Sequence, residues 1–200
     1  MERRELLKMI ALLTGGVMIG GNALLVGCRD GKKDGFVTFT KEDHDFLNEV
    51  ADTILPATKS PGAKAANVGP FMALMVNDCY EEKDQQIFRD GIEKLNAACE
   101  KMHNIGFIKG TPEQKHILLV ALDKEAKDYQ SKKGGLEDME RKKDKNFKGL
   151  PNHYFTMMKQ LTLLGYFTSE AGCKEALRYI AIPGRYEGSV PYKKGDKAWA

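Results

Sequence analysis

Apolar side chains recur every three or four residues in several stretches after residue 40, which is the spacing of one face of an α-helix. The stretches with this spacing are residues 46–54, 68–79, 88–102, 117–122 and 154–164. The sequence contains no alternating run of apolar and polar residues that is long enough for a sheet. The pattern therefore predicts a mainly α fold, with a single helical-bundle-like domain of about five to seven helices.

Two of these helices have a start signal in the sequence, and the first of them also has a stop signal. Thr40 opens the first one with the spacing of a capping box, and Pro56 disfavours helical angles at Leu55, so the helix is expected to end there. Thr111 precedes a proline and a glutamine that form the same kind of start signal. Residues 55–63 contain two prolines and a glycine and are predicted to be a turn-rich loop.

The later part of the chain is harder to divide. More than half of residues 124–148 are charged, and Gly134 and Gly135 lie among them, which predicts a solvated helix tail followed by an exposed loop. A further helix is predicted after residue 170, with a buried face made of Ala176, Leu177 and Ile180. The last residues of the chain show no period and are predicted to be a turn followed by a tail.

The first 28 residues have the pattern of a targeting segment. Arg3 and Arg4 precede an uncharged run over residues 9–26, which resembles a twin-arginine export signal. Residues 25–28 resemble a bacterial lipobox, so cleavage before Cys28 would leave a lipidated protein on the periplasmic side, anchored in a membrane. The alternative is an uncleaved N-terminal anchor helix, because the uncharged run is long enough to cross a bilayer.

These signals divide the chain into three parts. Residues 1–27 are predicted to be the leader, residues 28–35 a charged tether, and residues 36–200 the helical domain. The length of the domain suits one hydrophobic core. The chain has 31 basic and 28 acidic residues, a balance that does not suggest a nucleic-acid partner.

Residues that could carry chemistry are scattered. Cys79, Cys99 and Cys173 lack the spacing of a zinc or iron–sulfur site, while a disulfide and small buried thiols both stay open. No two histidines have the spacing of metal ligands on a helix, which predicts surface or capping groups. The histidines are His44, His103, His116 and His153. We therefore predict no catalytic, cofactor-binding or metal-binding residue in this chain.

Three segments resemble the signatures of one protein family. The segments are residues 46–56 with 60–63, residues 155–170, and residues 183–188. In this order and behind a twin-arginine leader, they resemble the gluconate 2-dehydrogenase subunit 3 family. Residues 83–150 are similar to it only in their helical texture, and the lipobox cysteine, Cys28, departs from the general family pattern.

The resemblance implies a small accessory subunit that holds no cofactor and has no catalytic activity alone. Its partner would be a large flavoprotein that oxidises a sugar or polyol with FAD, often together with a cytochrome c that carries haem c. The flavoprotein would fold before export, and the signal at Arg3 and Arg4 would carry the folded pair across the membrane. Cys28 would then hold the complex near its electron acceptor.

Within that resemblance, three turns are expected to contact the flavoprotein, because they carry aromatic or rigid residues that helix packing does not demand. These turns are residues 55–63, residues 166–169 and the turn at residue 186. The predicted contact residues are Pro56, Pro61, Gly62, Tyr166, Phe167 and Tyr186. The alternative is that the same residues only join helices.

Two other functions stay open at this point. One is a stand-alone lipoprotein that binds a sugar or small metabolite between helices, with Trp199 or the tyrosines stacking on the ligand. The other is an enzyme that uses Asp52 or His153 as a base, although the sequence offers no accompanying nucleophile and orienting group.

Overall fold

The computed structural model describes residues 38–182 and 184–200, and within them the domain is built from α-helices. Five helices are joined by loops, a 3-10 turn at Phe107–Lys109 and a π turn at Gly172–Ala176. The helices are α1 Lys41–Ile54, α2 Val68–Cys79, α3 Glu82–His103, α4 Pro112–Lys143 and α5 Tyr154–Phe167. The mainly α, single-domain prediction is confirmed. The predicted leader and tether, residues 1–35, lie outside the described residues.

Both predicted helix starts are confirmed in atomic detail. The amide of Asp43 donates to the Thr40 hydroxyl oxygen at 3.2 Å, and the Thr40 amide donates back to the Asp43 carboxylate at 2.8 Å. Thr111 and Gln114 repeat this exchange at the start of α4. Each pair satisfies two backbone amides that a helix leaves without internal partners, so these starts are fixed by local sequence.

Helix α5 lies in the middle of the bundle and contacts all four other helices. Two glycines let neighbours approach it closely. A side chain on Gly91 of α3 would overlap the Tyr154 ring, and one on Gly165 of α5 would overlap the Phe71 ring of α2. The core around α5 is closed by large side chains that are fully buried: Leu47, Met72, Phe88, Leu95, Phe107, Leu118, Leu122, Phe155, Met157 and Met158.

Helix α4 is longer than the sequence predicts. It continues through Gly134 and Gly135 to Lys143, where an exposed loop was expected. The chain between α4 and α5 runs back along the helix and is bound to it. The Tyr129 hydroxyl donates to the Pro151 carbonyl at 2.7 Å, and the Leu150 amide donates to Glu137 at 2.9 Å. These tertiary contacts hold the two glycines in a helix that their own propensity disfavours.

The predicted sixth helix is wrong beyond its first turn. The chain makes only the π turn after α5, and Ile180, expected on a buried face, is 52% exposed. Gly172 packs directly under the Tyr166 carbonyl, where no β-carbon would fit, so the chain turns back against the end of α5. Among the described residues, no helix is long and apolar enough to cross a membrane.

Among the residues that the structure describes, the three cysteines are free thiols in different environments. Cys99 is buried in the core, as the helical pattern predicts, and burial raises the pKa of its thiol. Cys79 was also expected on a buried helix face, but it is exposed because it lies at the very end of α2. Cys173 is partly buried beside α5, with its thiol 3.2 Å from the Phe167 carbonyl oxygen.

Candidate functional site

Residues 55–63, here named the proline loop, form a compact turn between α1 and α2. The Ala63 amide donates to the Leu55 carbonyl at 2.9 Å, so the two ends of the loop are bound to each other. Inside the loop, the Thr58 amide donates to the Ser60 carbonyl at 3.0 Å. Hydrogen bonds within the loop therefore hold its backbone in this turn without a partner protein.

Tyr166 fastens the proline loop to the end of α5. Its hydroxyl donates to the Pro61 carbonyl at 2.7 Å, and its ring is only 4% exposed. The structure thus brings together two of the three predicted interface turns. It also shows that Tyr166 is demanded by packing, contrary to the reasoning from sequence. Phe167, which stands edge-on to Tyr166, is 38% exposed and is available at the surface.

Gly62 lies where the loop passes closest to α1. A β-carbon at this position would lie 2.5 Å from a carboxylate oxygen of Asp52 and 2.7 Å from the Ala57 amide nitrogen. The same Asp52 oxygen accepts a long hydrogen bond from the Lys64 amide at 3.4 Å. Asp52, considered above as a base, therefore lies against the backbone of the proline loop, and Gly62 is required by space.

A partly buried cluster of ion pairs lies next to the end of the proline loop. Glu49 of α1 pairs with Lys64, just after the loop, and with Lys115 of α4, whose ammonium is 2.7 Å from the carboxylate. Burial alone would raise the pKa of Glu49, but the hydrogen bonds from Lys115 and Lys64 outweigh it and hold that pKa below its ordinary value. The cluster joins α1, α4 and the end of the proline loop by charge.

His153 is a capping group, as predicted for the histidines. It is 2% exposed, and its Nδ1 accepts the Phe155 amide at 3.2 Å at the start of α5. Its other ring nitrogen lies 3.4 Å from Glu125, and its ring stacks on Tyr154. Burial raises the pKa of Tyr154, and Glu125 adds to that effect. The surroundings of His153 are those of a buried helix start.

A cavity of about 350 Å³ opens between α1 and α2 and was not foreseen from the sequence. Its walls are mostly apolar and include Asn77, a half-buried residue whose side-chain oxygen is itself buried and has no hydrogen-bond partner. The lining residues are Thr38, Phe39, His44, Pro70, Ala73, Leu74 and Asn77. Trp199, expected to stack on a ligand in a stand-alone binding protein, is not among them. Within the described residues, no cluster of three or more metal-binding side chains occurs.

The end of the chain forms a second irregular segment, here named the C-terminal arm: residues 178–182 and 184–200. Its two ends are joined, because the Arg178 amide donates to the Ala198 carbonyl at 2.8 Å and the Ala200 amide donates to the Arg178 carbonyl at 2.9 Å. The Arg178 guanidinium lies 4.4 Å from the centre of the Trp199 ring. Tyr186, the third predicted interface position, belongs to this arm and is 94% exposed. The sequence predicted a turn and a tail for this segment and named Tyr186 as its one interface residue.

Comparisons with known proteins give one match. The family model described as Gluconate 2-dehydrogenase subunit 3 matches residues 41–184, which include all five helices and the proline loop. The match ends inside the C-terminal arm, two residues before Tyr186. Neither a curated protein nor a solved structure matches the chain.

Proposed function

The chain belongs to the gluconate 2-dehydrogenase subunit 3 family, and from this membership we propose that it is the non-catalytic small subunit of a membrane-associated, FAD-dependent sugar dehydrogenase of the gluconate or glucoside type. The family match carries the proposal, because it spans the whole helical bundle. The substrate would be oxidised by the large flavoprotein subunit, which holds the FAD. A cytochrome c with haem c would accept the electrons where the complex includes one.

The structure supports an accessory role through the positions of the two side chains considered above as bases. Asp52 contacts the backbone around Gly62 and Lys64, and His153 caps α5. An accessible base must reach a substrate proton, and His153 is almost fully buried. Both residues thus have structural roles that explain their presence without chemistry.

In this proposal the N-terminal segment supplies export and attachment. The signal at Arg3 and Arg4 would carry the folded subunit across the membrane together with its flavoprotein, and lipid on Cys28 would anchor the complex on the periplasmic side. These residues lie outside the described part of the chain, so the support for their roles is the sequence pattern alone. The subunit would aid export, maturation and tethering of the flavoprotein.

The test is isolation of the full chain from detergent-solubilised membranes of its native host. An affinity tag inserted between Lys145 and Asn146, which are exposed, leaves both chain ends native. We expect a stoichiometric large polypeptide with flavin absorbance bands, and haem bands if a cytochrome takes part. A colourless polypeptide that stays alone in mild detergent would contradict the proposal.

The second candidate function is a stand-alone lipoprotein that binds a small metabolite, and the cavity between α1 and α2 is the observation that favours it. A bulky substitution at Ala73, which is buried in the cavity wall, would then abolish ligand-induced stabilisation. The accessory-subunit proposal expects no loss of the flavoprotein from that variant as long as the variant folds.

A further inference from the structure

We propose that the C-terminal arm is the segment that docks the large flavoprotein subunit, and that it fits an apolar groove with an acidic rim. This inference rests on the proposed function and names the contact surface for it. It differs from the sequence expectation, which placed most of the interface on the proline loop and the end of α5.

The first support is the exposure of apolar side chains along the arm. Ile182 is 85% exposed, Tyr186 94% and Tyr192 76%, which is unusual for residues of these types. Further large apolar side chains of the arm are exposed as well: Tyr179, Ile180, Val190 and Trp199. Such a concentration on one segment marks an interaction surface, and tyrosine and tryptophan supply much of the binding energy in protein interfaces.

The second support is the closed base of the arm. The paired backbones of Arg178 and residues 198–200 hold its two ends together, and Arg178 also lies 3.8 Å from Asp196. Fixing both ends reduces the conformational freedom that binding must remove. The base therefore presents the arm as a preformed loop.

The third support is charge. From Arg178 to Ala200 the chain has five basic and two acidic residues, a net charge of +3, whereas residues 38–177 have 20 basic and 22 acidic residues, a net charge of −2. A basic arm on an acidic body favours a partner surface that is acidic around its apolar groove. Arg178 is paired with Asp196 and Arg185 with Glu187, so the remaining positive charge lies on Lys193, Lys194 and Lys197.

A protein groove fits these features better than a lipid surface does. Segments that lie in a membrane interface are commonly amphipathic helices with one apolar face. The described residues of the arm contain no helical turn.

The experiment compares arm variants in the tagged full chain purified from host membranes. Ile182→Asp with Tyr186→Ala should lower the flavin recovered per tagged chain by about tenfold or more, because buried aromatic and aliphatic anchors dominate such interfaces. Lys193 and Lys194 are exposed, so Lys193→Glu with Lys194→Glu leaves the core intact. This variant should lower the recovered flavin to a similar extent. Flavin recovery on the unchanged arm should also fall as salt is raised. Leu136→Asp, at a side chain that is 45% exposed on α4, is the matched control and should keep the flavoprotein.

Each outcome has a defined meaning. If the unchanged chain recovers the flavoprotein and the arm variants do so equally well, the docking role of the arm is wrong while the proposed function stands. Loss of membrane attachment with retention of the flavoprotein would assign the arm to lipid and would also overturn the inference. A colourless preparation from the unchanged chain would overturn the proposed function itself, and the docking inference with it.

Discussion

The proline loop and the C-terminal arm are both irregular segments, but their side chains make different contacts. The two ends of the proline loop are bound to each other, Tyr166 fastens the loop to α5, and Glu49 pairs with Lys64 just after it, while residues 56–59 at its tip are exposed. The arm is bound only at its base, and Ile182 and Tyr186 extend into solvent. An exposed apolar side chain contributes nothing to folding until a partner covers it.

This contrast separates residues that stabilise the fold from residues that are available to bind a partner. Rigid residues at turns were the reason to expect an interface at the proline loop, yet rigidity there is explained by packing against α1 and α5. Exposure is the better guide to a contact surface, and it points to the arm, to Phe167 and to residues 56–59 at the tip of the proline loop. Substitutions at the buried positions of the loop and at Tyr166 should therefore act on the free energy of unfolding, and substitutions in the arm should act on partner binding.

The largest expected effect on stability is at Tyr166. Tyr166→Ala should lower the free energy of unfolding by about 4 kcal/mol, because it empties a buried ring site and leaves the Pro61 carbonyl without its donor. Tyr166→Phe, which removes the hydroxyl alone, should cost about 1 kcal/mol. Denaturant unfolding followed by circular dichroism measures both changes. In the arm, Tyr186→Ala is the counterpart and should change stability by less than about 0.5 kcal/mol. Equal losses in the free energy of unfolding for Tyr166→Ala and Tyr186→Ala would contradict the difference between the two segments.

Gly62→Ala tests the close approach inside the proline loop. The added β-carbon would meet Asp52 and the Ala57 backbone, so we expect a loss of about 3 kcal/mol from overpacking. Gly134→Ala is the matched control, since nothing lies within 4 Å of that position on α4. It should stabilise the protein by about 1 kcal/mol through helix propensity. A neutral result for Gly62→Ala would mean that the loop adjusts freely and is no more constrained than the arm.

Glu49→Gln tests the ion pairs below the loop. It leaves the buried Lys115 ammonium without its carboxylate and should cost roughly 2 kcal/mol at neutral pH. Because the folded pKa of Glu49 lies below its ordinary value of 4.5, this stabilisation is complete above pH 4.5 and is lost as the pH falls through the lowered folded value. The difference between Glu49→Gln and the unchanged protein should therefore shrink in acid.

Glu187→Gln in the arm supplies the control for that measurement. Its partner Arg185 is 84% exposed, so the pair should contribute less than about 0.5 kcal/mol, with little dependence on pH. A gap between the two variants that stays constant down to strongly acidic pH would contradict the assignment of the effect to the Glu49 carboxylate.

Much of the fold could be predicted because its signals are local. The capping boxes at Thr40 and Thr111 act over three residues, and the buried positions of α1, α3 and α5 follow a spacing of three or four. The errors come from contacts between distant residues. Gly134 and Gly135 read as a loop because the returning segment at Leu150 and Pro151 that stabilises α4 cannot be seen in their neighbourhood.

The candidate site was harder to predict than the fold. The sequence placed residues 55–63 and 166–169 in one functional set, and they do meet in space, but it assigned Tyr166 to the surface. It placed Tyr186 at the interface and singled out residues 183–188 and Trp199, but it did not predict the exposed Ile182 and Tyr192, because an exposed isoleucine and a buried one look the same in a sequence without a period. The single tryptophan near the chain end was the signal in the sequence for the rest of the arm. Its contact with the Arg178 guanidinium could be seen only in the structure.

The sequence by itself determined the presence of the five α-helices, the caps at Thr40 and Thr111, the one-domain fold class and the resemblance to the family that the chain belongs to. These properties depend on residues that are close along the chain, where spacing and steric preference act directly. Only the tertiary structure decided which turn residues are held by packing, such as Gly62 and Tyr166, and which side chains extend into solvent, such as Ile182 and Tyr186. The Tyr166 hydroxyl reaches Pro61 across 105 positions, and Arg178 meets Trp199 after the chain has turned back. Burial is set by those long-range contacts, so they decide which side chains remain available to a partner.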